Sequence, residues 1–152
     1  MNIVTVCLGN ICRSPMAEGI LRKKIQERGL DIRLDSAGTA PYHIGEAPDE
    51  RAQQTLLEKG INISDLRGRQ FEVSDFDRFD LILPMDEDNY NNVIELARSK
   101  ADKAKVTMLM KYLYPEENIS VPDPYFGGPE GFCKVYEMLD AATDKVLESL
   151  KI

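Results

Sequence analysis

Apolar and polar positions along the chain change period several times, and each change marks an element. Ile3-Val4-Thr5-Val6 is a β-branched run of strand length that ends where Cys7 begins. Ala17, Ile20, Leu21 and Ile25 then fall on one face of a helix that Gly29 can terminate. Ile32 and Leu34 alternate with charged residues, which predicts a strand ending at Ser36. Residues 48 to 59 read as a second helix, with Ala52 and Leu56 inward and Gly60 at its end. Residues 79 to 83 form another apolar run of strand length, and Asp86 is placed to cap a helix through Val93, Leu96 and Ala97. Residues 106 to 109 predict a fourth strand. The strongest helical pattern comes last, at Phe132, Val135, Leu139, Ala142, Val146 and Leu150.

Strands that alternate with helices imply an α/β fold, a parallel sheet covered on both faces. Ligands in such sheets bind beyond the carboxyl ends of the strands, which is where Cys7 falls. At 152 residues the chain suits one domain, 1–152, with one core. No repeat, low-complexity stretch or Gly/Ser linker divides it.

The loop between the first strand and the first helix carries the chemistry. Residues 7 to 14 read Cys-Leu-Gly-Asn-Ile-Cys-Arg-Ser, and Pro15 suits a first helical position. Unpaired amides and the helix dipole favour an anion there. A helix N-terminus and a nearby cation also favour a thiolate, so Cys7 is a candidate nucleophile that needs no base. If the loop curls, Arg13 returns toward the sulfur and can grip two phosphoryl oxygens in a bidentate fork. Gly9 permits the positive φ that a curled anion nest requires. Ser14 can donate a hydrogen bond to the thiolate. Cys12 is five residues from Cys7 on the same loop, so a curl could bring the sulfurs within disulfide reach.

The net charge of −7 argues against nucleic acid or an anionic membrane as a partner. An anionic ligand is compatible with it, because distant carboxylates are screened beyond about 8–10 Å while the loop amides and Arg13 act at contact distance. No stretch approaches a membrane span, the apolar start is too short for a secretory signal, and three cysteines without metal-type spacing fit a reducing cytoplasm. Two acidic clusters, at residues 75–80 and 86–88, read as caps and solvated faces; Tyr90 spoils a calcium-loop reading of the second. His43 reads as a surface residue and Cys133 as helix packing. Asp123, between Pro122 and Pro124, is either a surface turn or a carboxyl held in place by restricted backbone on both sides.

Cys7-Leu8-Gly9-Asn10-Ile11-Cys12-Arg13-Ser14-Pro15-Met16-Ala17-Glu18 resembles the signature of the low-molecular-weight protein tyrosine phosphatases. The likeness recurs at Asp35-Ser36-Ala37-Gly38-Thr39, at Tyr42 with Ile44-Gly45 and Pro48-Asp49, at Phe79-Asp80 with Met85-Asp86 and Asn89, and at Asp123-Pro124-Tyr125. The resemblance implies a three-layer sandwich with a four-stranded parallel sheet, and metal-free hydrolysis of protein phosphotyrosine through a cysteinyl phosphate, with no cofactor. It implies that Cys7, Arg13, Ser14 and Asp123 are catalytic, with Asp123 the acid. Residues Leu8, Gly9, Asn10, Ile11 and Cys12 become the phosphate-binding loop. Tyr42 and Tyr125 become the walls of an aryl cleft, broadened by Phe126, with Glu46 near its mouth. Asn10 and Ser36 would support the loop, and Cys12 would be a reversible oxidation partner of Cys7.

The implied partners are phosphotyrosine proteins, met by a cytoplasmic monomer. One departure stands out. Many members carry a histidine just before an Ala-Arg-Gln segment, whereas this chain reads Asp65-Leu66-Arg67-Gly68-Arg69-Gln70. Arginine phosphatases of the same fold have Thr where Ile11 stands and lack the Tyr after the acid. Arsenate reductases need further cysteines, and a phosphopeptide-binding module would need no turnover.

Overall fold

The computed structural model describes residues 1–125 and 127–150. Strand β1 (Asn2–Cys7) lies at the centre of a parallel sheet, between β2 (Arg33–Gly38) and β3 (Leu81–Pro84). Val4 stands opposite Asp35 on one side and Ile82 on the other. A central strand is buried on both faces, which is why residues 3 to 7 read as a continuous run rather than alternating.

Helices cover both faces. Ile3 and Cys7 face a core built with α1 (Arg13–Arg28), α2 (Glu50–Leu57) and the long α6 (Pro129–Ser149), whose apolar stripe from Phe132 to Val146 is buried as its spacing predicts. Val4 and Val6 face a second cluster with Phe71, Phe76 of the short α3 (Asp75–Arg78), Phe79, and Val93 of α4 (Glu87–Leu96).

Among the described residues the sheet has three strands, not the four expected. Residues 106 to 109 make a single bridge, Val106 to Ile82, held by Ile82 N–H to Lys105 O (2.9 Å) and Thr107 N–H to Ile82 O (3.0 Å). The chain then closes into a 3-10 turn at Leu109–Tyr112, which buries Leu109 and Met110 in the main core and ends the pairing. The helix α5 (Lys100–Ala104), like α3, is too short and too charged to carry a periodic signal. Its Ser99 cap accepts from the Asp102 amide.

Several local expectations shift. Helix α1 opens at Arg13, which places Pro15 third in the helix; its missing N–H still costs nothing there, since first-turn amides have no intrahelical acceptor. Cys133 is exposed on α6 rather than packed. Asp75 is not on a solvated face. It is fully buried, and Arg69 (3.0 Å) and Arg78 (2.9 Å) bond its carboxylate.

Candidate active site

The site lies at the carboxyl edge of the sheet, where β1 gives way to α1. Cys7, 2 % exposed, forms its floor. The loop that follows is held from outside by its carbonyls. Cys7 O accepts from Thr39 N–H (2.9 Å), Leu8 O from Ala40 N–H (2.9 Å) and Ile11 O from Asp49 N–H (2.8 Å). Among the described residues, the N–H groups of residues 8 to 12 donate to no protein acceptor. Free amides in a curled loop ahead of a helix suit an anion.

The positive φ sits at Asn10 (59°), not at Gly9. Asn tolerates the left-handed region when its short side chain bonds locally. Here Asn10 Nδ2 donates to Ser14 Oγ (2.8 Å) and Ser36 Oγ (3.0 Å), while Oδ1 accepts the Arg69 N–H (3.0 Å). Gly9 is needed for a different reason. A Cβ there would stand 2.9 Å from His43 Cδ2. Ser14 Oγ lies 2.9 Å from Cys7 Sγ. Because the Asn10 amide can only donate, the Ser14 hydroxyl proton is free to point at the sulfur. Thr5 Oγ1 donates to Ser14 O (2.8 Å) and pins the first turn of α1 from below.

Arg13 is buried at the rim. Its Nη1 donates to Asp86 Oδ2 (2.5 Å) and to Val121 O (3.0 Å), and Nη2 lies 3.7 Å from Asp123 Oδ2. Burial works against its charge, but the neighbouring Cys7 sulfur, Asp86 and Asp123 outweigh that and hold the guanidinium protonated. At Cys12 burial and anionic neighbours act in the same direction. Burial pushes its thiol up, and Asp49, Cys7 and Asp123 push it further. The Cys7 and Cys12 sulfurs are both free thiols.

Asp123 enters on a segment tied to the end of β3 by Val121 N–H to Met85 O (2.8 Å). Its Oδ1 accepts the Tyr125 N–H (3.0 Å), a local turn that orients the carboxyl. The resulting cleft encloses about 170 Å³; Cys7 and Arg13 lie in it with Cys12 and Ile11, and Tyr42, His43, Tyr125 and Asp123 line its walls. Tyr42 is 69 % exposed, a mouth residue rather than a packed one.

One predicted wall residue falls elsewhere. Glu46 does not line the cleft; it bonds His43 Nδ1 (2.9 Å) and so sets the ring that does. Phe126 lies outside the described residues. His43, expected on the surface, is half-buried in the wall. Its loop is held by Gly68, which accepts from Gly45 N–H (2.8 Å) and donates to Glu46 O (2.8 Å). Leu66, where many family members have histidine, packs against the main core. The Asn10 carbonyl takes its hydrogen bond from the Arg69 backbone instead.

Asp86 is the residue that sequence reasoning assigned too little. It caps α4 through Asn89 N–H (2.7 Å), as expected, and pairs with Arg13 as well. A usable signal existed: Asp86 follows β3 at the same carboxyl edge as Cys7.

Fold and cleft together define an α/β protein with a curled loop of free amides at the strand ends and a thiol at its base. The family described as low molecular weight phosphotyrosine protein phosphatase matches residues 2–152, and the chain belongs to that family. It is similar to the low molecular weight phosphotyrosine protein phosphatase of Schizosaccharomyces pombe, with 39% identity over 99% of this chain and 97% of the relative. Its fold is similar to the crystal structure of the protein tyrosine phosphatase from Entamoeba histolytica (TM-score 0.93, 36% identity, 99% of this chain and 97% of that one). It is also similar to DARP, the Drosophila arginine phosphatase (TM-score 0.92, 33% identity, 100% of this chain and 99% of that one).

Proposed function

We propose that the protein hydrolyses phosphotyrosine in proteins, and small aryl phosphates, through a cysteinyl phosphate and without a metal. The observation that carries the reading is the convergence on one cleft of the Cys7 sulfur, the unbonded amides of the loop, the Arg13 guanidinium and the Asp123 carboxyl.

In the first step the Cys7 thiolate attacks phosphorus in line, and an S–P bond forms as the P–O bond to tyrosine breaks. The loop amides and Arg13 stabilise the equatorial oxygens, and protonated Asp123 gives its proton to the departing phenoxide. In the second step water attacks phosphorus, the Asp123 carboxylate takes a proton from it, and the S–P bond breaks. Inorganic phosphate leaves and Cys7 returns as thiolate, with the Ser14 hydroxyl bonding the departing sulfur. Tyr42, His43 and Tyr125 favour a flat ring, whose burial and stacking place the phosphorus at the cleft floor.

The cysteine pair adds a redox reading, in which a peroxide oxidises the Cys7 thiolate to a sulfenic acid, the Cys12 thiol displaces its hydroxyl as water to form a disulfide, and two equivalents of a thiol reductant reopen it. A cytoplasmic monomer fits the composition. No helix among the described residues is long and apolar enough to cross a membrane.

The test is hydrolysis of phosphotyrosine peptides with and without EDTA. Activity that persists in chelator and vanishes in Cys7→Ser is the expected result; chelator-sensitive turnover overturns the mechanism. Likeness to an arginine phosphatase makes phosphoarginine the second substrate to measure. The apolar Ile11 and the Tyr125 wall favour the aryl ester, so phosphotyrosine peptides are expected to be turned over faster than phosphoarginine peptides.

A further inference from the structure

Arg51, on the first turn of α2, touches three parts of the site without reaching the cleft floor. It forks onto its neighbour Asp49, with Nε to Oδ1 at 3.0 Å and Nη2 to Oδ2 at 2.9 Å. Asp49 is the α2 cap, and its backbone N–H holds Ile11 O of the phosphate loop (2.8 Å). On the other side, Arg51 Nη1 donates to Gly127 O (3.3 Å), and its Cζ stands 5.5 Å from the centre of the Tyr125 ring. Its Cζ also lies 4.8 Å from the ring of Phe132, a fully buried anchor on α6. Tyr125 in turn bonds Asp123 Oδ1 through its own N–H.

We infer that Arg51 is a positioning residue that clamps the Asp123-bearing segment to the phosphate loop, acting on the acid through Tyr125. The inference rests on the proposed role of Asp123 as proton donor. The planar guanidinium suits the task, because it can fork onto a carboxylate, donate to a carbonyl and lie against a ring together. The segment needs such a tie. Its two prolines stiffen the backbone around Asp123, yet the carboxyl itself is 39 % exposed and meets Arg13 only at 3.7 Å. Misplacing an acid by an ångström forfeits much of its contribution, while leaving nucleophile and phosphate loop as they were.

This separates a clamp from a mere structural arginine. Substrates with poor leaving groups need the proton, whereas p-nitrophenyl phosphate needs it little. In Arg51→Ala, kcat/KM is expected to fall roughly 10- to 100-fold for phosphotyrosine and phenyl phosphate, and by no more than about threefold for p-nitrophenyl phosphate. Arg51→Lys keeps the charge but not the fork, and is expected to fall between. In an Asp123→Asn background, Arg51→Ala adds no further dependence on the leaving group. An equal drop for all leaving groups, or a leaving-group effect that survives without Asp123, overturns the inference.

Amide hydrogen exchange at Tyr125 and Gly127 reads the clamp without turnover. It is expected to quicken in Arg51→Ala and Arg51→Lys, and unchanged exchange in both overturns the clamp. Absence of wild-type hydrolysis, by contrast, overturns the proposed function, and the acid role with it.

Discussion

Replacing Asp86 removes the carboxylate that sits on a buried guanidinium, and the structure sets the size of the effect. The Arg13 and Asp86 side chains are 3% and 20% exposed and 2.5 Å apart. Breaking one side of a buried pair costs about 3–5 kcal/mol, because the partner is left charged and unpaired. Here Arg13 keeps the Val121 carbonyl at 3.0 Å and the Asp123 carboxylate at 3.7 Å, and water reaches Asp86. The loss should fall below that range, at about 2–3 kcal/mol for Asp86→Asn. Asn still caps α4, since it ranks with Asp at an N-cap; Asp86→Ala loses the cap too and should cost about 1 kcal/mol more.

Urea unfolding at pH 7 measures both. The midpoint should fall at constant slope, and Tm by about 5–10 °C for Asp86→Asn. Saturating inorganic phosphate should narrow the gap, because an oxyanion on Arg13 supplies the missing countercharge. If Asp86→Asn unfolds within about 0.5 kcal/mol of the wild type, the Arg13–Asp86 pair is not holding the rim, and the reasoning fails.

Three further outcomes can be measured. Gly68→Ala drives a Cβ into the His43 carbonyl oxygen, so the wall loop must move; a stability loss of about 1–3 kcal/mol and a raised KM for aryl phosphates are expected, and unchanged values of both would refute the close packing. Glu18, 6 % exposed, has its carboxyl pushed up by burial despite the nearby Ser36 hydroxyl. Above pH about 4.3 the unfolded chain sheds that proton while the folded chain still holds it, so the wild type loses stability as pH rises toward the folded pKa and does not regain it. Glu18→Gln should therefore raise Tm at pH 7, with the gain shrinking toward pH 4; a lower Tm at pH 7 refutes this. Finally, iodoacetamide at pH 7 should spare Cys12, whose thiol burial and nearby carboxylates hold protonated, and should label exposed Cys133; peptide mass spectrometry would show otherwise if Cys12 is the first to react.

Much of the architecture was legible because it follows from local spacing. A β-branched run, a loop and an apolar stripe report which face each segment buries, and they report it within a dozen residues. The α6 stripe and the cap at Asp86 are of this kind. So is the order strand, loop, helix around Cys7, since amides at a helix N-terminus are free wherever that helix packs.

What the pattern could not contain is which distant polar group arrives at a given atom. Asp86 meets Arg13 across 73 residues, and the Arg69 amide meets Asn10 across 59. His43 becomes a wall only because Gly68 lets its loop close against the loop that follows Cys7, and Gly9 leaves room for its ring. The fourth strand looked like the others in sequence, but burial of Leu109 and Met110 in the main core won over continued pairing. Asn10, rather than Gly9, took the left-handed turn because Ser14, Ser36 and Arg69 were there to bond its side chain. Periodicity and spacing determined the elements and the chemistry of the loop. Only tertiary structure chose the partners, because a hydrogen bond or an ion pair is decided by where two chain segments meet, and neither segment encodes that alone.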